Sequence, residues 1–176
     1  VDLYLGSNED LMKRLHAGEV DAIVIAVPSN DELDGIEIVP LFEDQLYLAS
    51  SKNSKPKQGS IDLSDYEQEK FLTLQDGFAT TAGFYDAFRL AGVKPNVVMK
   101  VSDIFTLMNM VSNDMGRSLL PGRVRALMGD ALEFTPLEAK YQVIQRIALM
   151  YLQANESNPN ILALAAEARM LQRNSK

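Results

Sequence analysis

Apolar residues follow two rhythms along this chain, a strand rhythm and a helix rhythm, and the two alternate. VDLYL (1–5) predicts a strand, and Gly6-Ser7-Asn8 has the chemistry of a turn and helix cap. Leu11, Met12 and Leu15 then share one face of a short helix, which Gly18 ends where a left-handed cap is usual. DAIVIAV (21–27) is apolar nearly throughout, as strands covered on both faces are, and Pro28 stops it. IEIVPLF (36–42) and DQLYLAS (44–50) predict two more strands, and the turn formers of 51–60 predict a loop.

The alternation then repeats. FLTL (71–74) predicts a strand. Phe84, Ala87, Phe88 and Ala91 fall at helical spacing, giving a helix over 81–91 capped by Gly92. VVMKV (97–101) is a strand, Ser102 a cap, and Ile104, Leu107, Met108 and Val111 a second helical stripe. RSLL (117–120) predicts a short strand after Gly116, which permits a tight turn, and Pro121 suits the first turn of a helix over 121–128. YQVIQRIALMYL (141–152) predicts a long strand, and 158–173 a terminal helix.

Strands alternating with helices predict an α/β fold with mainly parallel strands. The segments 44–50 and 141–152 are the candidate crossings between two lobes. That places residues 1–43 and 146–176 in lobe one and residues 44–145 in lobe two.

Composition narrows the function. Seventeen Lys and Arg against 24 Asp and Glu give a net charge of −7, which repels a phosphate backbone. There is no Cys, so neither disulfides nor a Cys-based zinc site is available. With one His and no nucleophile–base pattern, the chain is not expected to be an enzyme. Neither a leader peptide nor a membrane-spanning apolar run is visible, which predicts a cytoplasmic protein. His16 suits the end of a surface helix, the eight Met read as packing, and Glu43-Asp44 reads as a solvated crossing.

Several blocks in order resemble the C-terminal effector-binding domain of LysR-type transcriptional regulators. They are VDLYLGSNEDLMKRLHAGEVDAIVI (1–25), FEDQLYLASSKNSK (42–55), the run from Gly77 to FRLAG, MVSNDMGRSLLPGRV (110–124) and QRIALMYLQAN (145–155). Arg117 stands where that family usually has a small or apolar residue. The runs FATTAGFYDAFRLAG, VSDIFTLMNMV and SLLPGRV are similar to the family's regulators of malonate utilisation. The resemblance implies two Rossmann-like lobes of the type II periplasmic-binding-protein kind, with the usual first strand and helix of lobe one missing from the chain. It also implies a small organic anion, such as a dicarboxylate, held between the lobes. A homodimer or tetramer would reach DNA through an N-terminal helix-turn-helix that would precede Val1. No cofactor, metal or membrane is implied. The missing strand would leave a sheet edge prone to pairing. A transporter's solute-binding protein shares the architecture and is the alternative.

In such sheets ligands bind beyond the carboxyl ends of strands, where helix N-termini present free amides to anions. Ser7 and Asn8 occupy one such junction, and Gly77, Phe78, Ala79, Thr80 and Thr81 another. The hydroxyls of Thr80 and Thr81 are candidate donors to a carboxylate, and Phe78 a candidate wall over the ligand. Ser102 reads as a cap only, and Asp103 beside it disfavours an anion.

Overall fold

A computed structural model describes residues 1–27, 33–54 and 59–174, without the side chains of residues 128 and 171–174. Pro28 and the middle of the 51–60 loop lie outside the described residues. The chain divides into two compact units, Val1–Glu43 with Gln145–Lys176 and Asp44–Ile144.

The first unit holds α1 (Asn8–His16), β1 (Ile23–Ala26), the first half of β2 (Ile36–Ser51), β7 (Ile144–Leu152) from Gln145 onward and α5 (Pro159–Asn174). β7 pairs with β1 on one side and β2 on the other, antiparallel to β1 with Ile23 opposite Met150. Side chains alternate across a strand, so β7 serves two layers. Ala148 and Met150 pack with Leu15 of α1, Ile23, Ile25 and Ile36. Leu149 and Tyr151 pack with Ile161, Ala165 and Ala168 of α5. β1 departs from the expectation of two covered faces: Val24 is exposed, because β1 ends the sheet path.

VDLYL does not form the expected strand, and the side chains of Val1, Leu3 and Leu5 are almost wholly exposed. An alternating pattern becomes a strand only when another strand takes its hydrogen bonds. No described strand does so here.

The second unit is built on the rest of β2, which runs unbroken where the sequence suggests two strands. β5 (Ser118–Pro121) pairs with it through Leu46–Pro121 to Ala49–Ser118. β6 (Leu132–Pro136), a strand absent from the sequence reading, pairs with it through Tyr47–Pro136 to Ser51–Leu132. β3 (Lys70–Leu74) and β4 (Asn96–Val101) form a parallel pair, joined to β5 by a bridge between Phe71 and Arg117. The expectation of mainly parallel strands is thus corrected: the β1–β7, β2–β5 and β2–β6 pairings are antiparallel. β2 arrives from the other unit rather than through a helical crossover, so its direction is not set by the alternation of elements.

Two helices cover this sheet. α2 (Ala79–Ala91) buries Phe84, Ala87 and Phe88 against Leu46, Leu48, Phe71 and Leu119. Phe71 meets Phe84 and Phe88 edge-on, with ring centroids 5.6 and 4.9 Å apart. α3 (Ile104–Ser112) buries Leu107, Met108 and Val111 against Leu72, Leu74 and Leu120. Leu119 and Leu120 of β5 thus point into different layers.

The α3–β5 junction works differently from the expectation. Its left-handed residue is Asp114, with φ 60°, and not Gly116. A Cβ on Gly116 would lie 3.0 Å from the Lys70 carbonyl oxygen and 3.1 Å from Leu72 Cγ, so glycine eases the close backbone approach to β3. The expected helix 121–128 is broken. Pro121 closes β5, Gly122–Val124 make a 3-10 turn, and α4 (Arg125–Met128) is a single turn. Asp44 fastens this segment, its carboxylate accepting the amides of Gly122 at 3.0 Å and Arg123 at 3.2 Å. Asp44 is therefore a bound capping group rather than a solvated charge.

Candidate functional site

The two predicted junctions differ in what their polar groups do. At the start of α1, Ser7 is the N-cap and its Oγ accepts from the Asp10 amide at 3.2 Å. Asn8 Nδ2 donates to the Ala26 carbonyl at 3.0 Å, tying the helix start to the end of β1. Glu9 and Asp10 occupy the first turn, paired with Lys13 at 2.6 Å and Arg14 at 2.9 Å. This junction supplies carboxylates of its own to its positive end.

At the start of α2 the chain leaves β3 through Gln75, whose amide extends the β3–β4 pairing to the Val101 carbonyl at 2.9 Å. Gly77 turns with φ 91°, a left-handed conformation. Phe78 is the N-cap and offers no side-chain hydrogen bond, and the first turn contains no acidic residue. The amides of Thr81 and Ala82 return to the Phe78 carbonyl at 3.0 and 3.1 Å. Those of Ala79 and Thr80 meet no acceptor among the described residues. A helix start of this kind presents N–H donors and the positive end of the helix dipole to an incoming anion.

The side chains refine the sequence expectation. Thr81 is 3% exposed, and its hydroxyl turns inward, donating to the carbonyls of Leu74 at 3.0 Å and Gln75 at 3.1 Å. Its single proton is therefore engaged, which corrects its reading as a donor to a ligand; it locks the loop to the end of β3 instead. Phe78 is half-buried against the α3 side of the core. Ala79 and Thr80 are half-buried, and Gly77 is exposed.

Sequence reasoning missed two charged residues beside this loop. Lys100 Nζ, at the carboxyl end of β4, lies 2.7 and 2.9 Å from the two carboxylate oxygens of Asp76. It also lies 5.8 Å from the Tyr85 ring centroid on α2. The hydrogen bond that the ammonium donates to Asp76 raises the Lys100 pKa above its ordinary value. The two residues are 24 positions apart and meet only through the β3–β4 pairing, so no local pattern announces them.

At the third strand end the cap is not the expected residue. Asp103, not Ser102, caps α3, accepting from the Thr106 amide at 2.8 Å. That bond holds its carboxyl below the usual range. Among the described residues no group of three or more His, Asp or Glu is placed to hold a metal, and no helix is long and apolar enough to cross a membrane.

Known proteins share this architecture. The regulatory domain of CcmR from Synechocystis PCC6803, in complex with 2-PG, matches with a TM-score of 0.87 at 16% identity, over 99% of this chain and 84% of that one. The effector binding domain of QuiR in complex with shikimate matches with a TM-score of 0.77 at 19% identity, over 96% and 77%. The fold is thus a mixed α/β one of the type II periplasmic-binding-protein kind. Residues 1–172 match the LysR substrate binding domain, and the chain belongs to that family. A malonate utilization transcriptional regulator of Klebsiella pneumoniae is 38% identical over 175 residues, 98% of this chain and 57% of the relative. The chain therefore spans little more than half the length of that regulator.

Proposed function

We propose that this chain is the effector-sensing part of a LysR-type DNA-binding transcriptional regulator, and that a small organic anion binds at the start of α2. The observation that carries the reading is the pair of amides at Ala79 and Thr80 that meet no acceptor among the described residues, in a first turn without acidic residues. Gly77 and Phe78 shape the approach, and Thr81 holds the loop in place. Ser7 and Asn8 are engaged in the cap and the tie of α1 and are not among the proposed contacts. The two compact units correspond to the two regulatory lobes.

The effector class follows from the donors: backbone amides at a helix start favour a carboxylate or phosphate over a neutral molecule. The likeness to the Klebsiella regulator supports a malonate-like dicarboxylate. DNA would be reached through a helix-turn-helix domain outside this chain, in a cytoplasmic homo-oligomer without catalytic activity. The family match favours this reading over a transporter's solute-binding protein.

A substitution at the first helical position tests the amide directly. Proline is tolerated there, and Phe78, at φ −83° and ψ 136°, already has the backbone that a following proline demands. Ala79→Pro should leave thermal unfolding unchanged while weakening malonate binding about tenfold or more in calorimetric titration, the loss of one hydrogen bond to a charged partner. Unchanged affinity would remove the α2 start from the site.

A further inference from the structure

The α2 start carries a built-in contradiction. Asp76 lies three residues before Ala79, the first helical residue, and a bare carboxylate there would repel the anion that the free amides attract. The structure places Lys100 against it, with one ammonium meeting both carboxylate oxygens at 2.7 and 2.9 Å. The same ammonium faces the Tyr85 ring of α2, so β4, the loop and the helix are all joined at this point. Exposed ion pairs of this kind add little to stability. The consequence of this one is the sign of the local field.

Resting on the effector reading above, we propose that Lys100 determines the charge specificity of the site by neutralising Asp76, so that the α2 start accepts an anion. Lys100 acts through Asp76 and need not touch the effector. Asp76 in turn fixes where the ammonium sits. The pair converts a loop that would reject negative charge into a neutral rim around two free donors.

A double-substitution cycle with malonate as the titrated probe separates this role from direct contact. Lys100→Met leaves Asp76 unpaired and should weaken binding about tenfold, as expected for a like charge near a dianion. Asp76→Asn removes the repulsive charge and should bind malonate at least as tightly as the original protein. Asp76→Asn with Lys100→Met should return affinity to within about threefold of the original, because neither charge remains. A double variant as weak as Lys100→Met alone would overturn the shielding role, since Lys100 would then act by its own contact or by shape. Unchanged affinity in Lys100→Met would overturn it as well. Lys100→Gln provides the same test should the methionine variant fold poorly. An original protein that binds none of malonate, succinate or phosphoglycolate would overturn both this proposal and the effector reading. Malonate binding that is lost in Ala79→Pro but unmoved in Lys100→Met would overturn this one alone.

Discussion

The starts of α1 and α2 look alike in sequence and differ in what they leave available. Both follow a glycine-containing turn and bring small polar side chains near the first helical turn. At α1, Ser7 accepts the Asp10 amide, Asn8 binds Ala26, and two carboxylates crowd the first turn. At α2, a phenylalanine stands at the cap, the nearby Thr81 hydroxyl is turned inward, and two amides meet no acceptor among the described residues. A hydroxyl at a helix start therefore says little about anion binding by itself. What matters is whether it faces the amides or the framework beneath them.

The largest test of the comparison removes the support beneath α2. Phe84 is almost completely buried, meets Phe71 edge-on and packs at 4.9 Å against Phe88. Phe84→Ala should cost about 3–5 kcal/mol in denaturant unfolding, with malonate binding falling as the folded fraction falls. A cost below about 1 kcal/mol would show that α2 is not held by this cluster and that its start is set by the loop alone.

Much of this framework is legible in the sequence. The helical stripe of Phe84, Ala87 and Phe88 and the Gly92 cap, with φ 70°, are visible because periodicity and left-handed glycine are local properties. Strand direction is not local. β2 runs through both units and pairs antiparallel with β5 and β6, which no spacing within DQLYLAS or SLLP encodes. β6 has five residues and ends in proline, too little pattern to stand out. VDLYL has the pattern of a strand and lacks only a partner among the described strands, a condition its own residues cannot reveal. In the loop Gly77–Thr81, the direction of the Thr81 hydroxyl depends on the Leu74 and Gln75 carbonyls that the fold places beneath it. Asp76 and Lys100 escape notice for the same reason, because their encounter depends on strand register.

Thr81→Val gives the next effect and addresses the inward hydroxyl. Valine keeps the shape but leaves the Leu74 and Gln75 carbonyls without that donor inside the protein. A loss of about 1–3 kcal/mol in unfolding free energy is expected. Malonate affinity, extrapolated to the fully folded protein, should change less than in Ala79→Pro. A stable Thr81→Val protein that has lost binding would reverse the assignment and make the hydroxyl a ligand contact after all.

The smallest effect belongs to α1 and completes the contrast. Ser7→Ala removes the acceptor of the Asp10 amide, so one orphan donor of the helix start must turn to water. Loss of an N-cap serine costs about 1 kcal/mol, measurable as a lower urea midpoint at unchanged slope. As a cap, Ser7 sets helix stability alone, and malonate affinity of the folded protein should stay within about twofold, below 0.5 kcal/mol. Asn8→Ala in the same background separates the tie to Ala26 from the cap, because the two bonds reach different parts of the unit. If Ser7→Ala keeps its unfolding midpoint and loses malonate, the two helix starts are equivalent. The α1 start would then be an anion contact of its own unit.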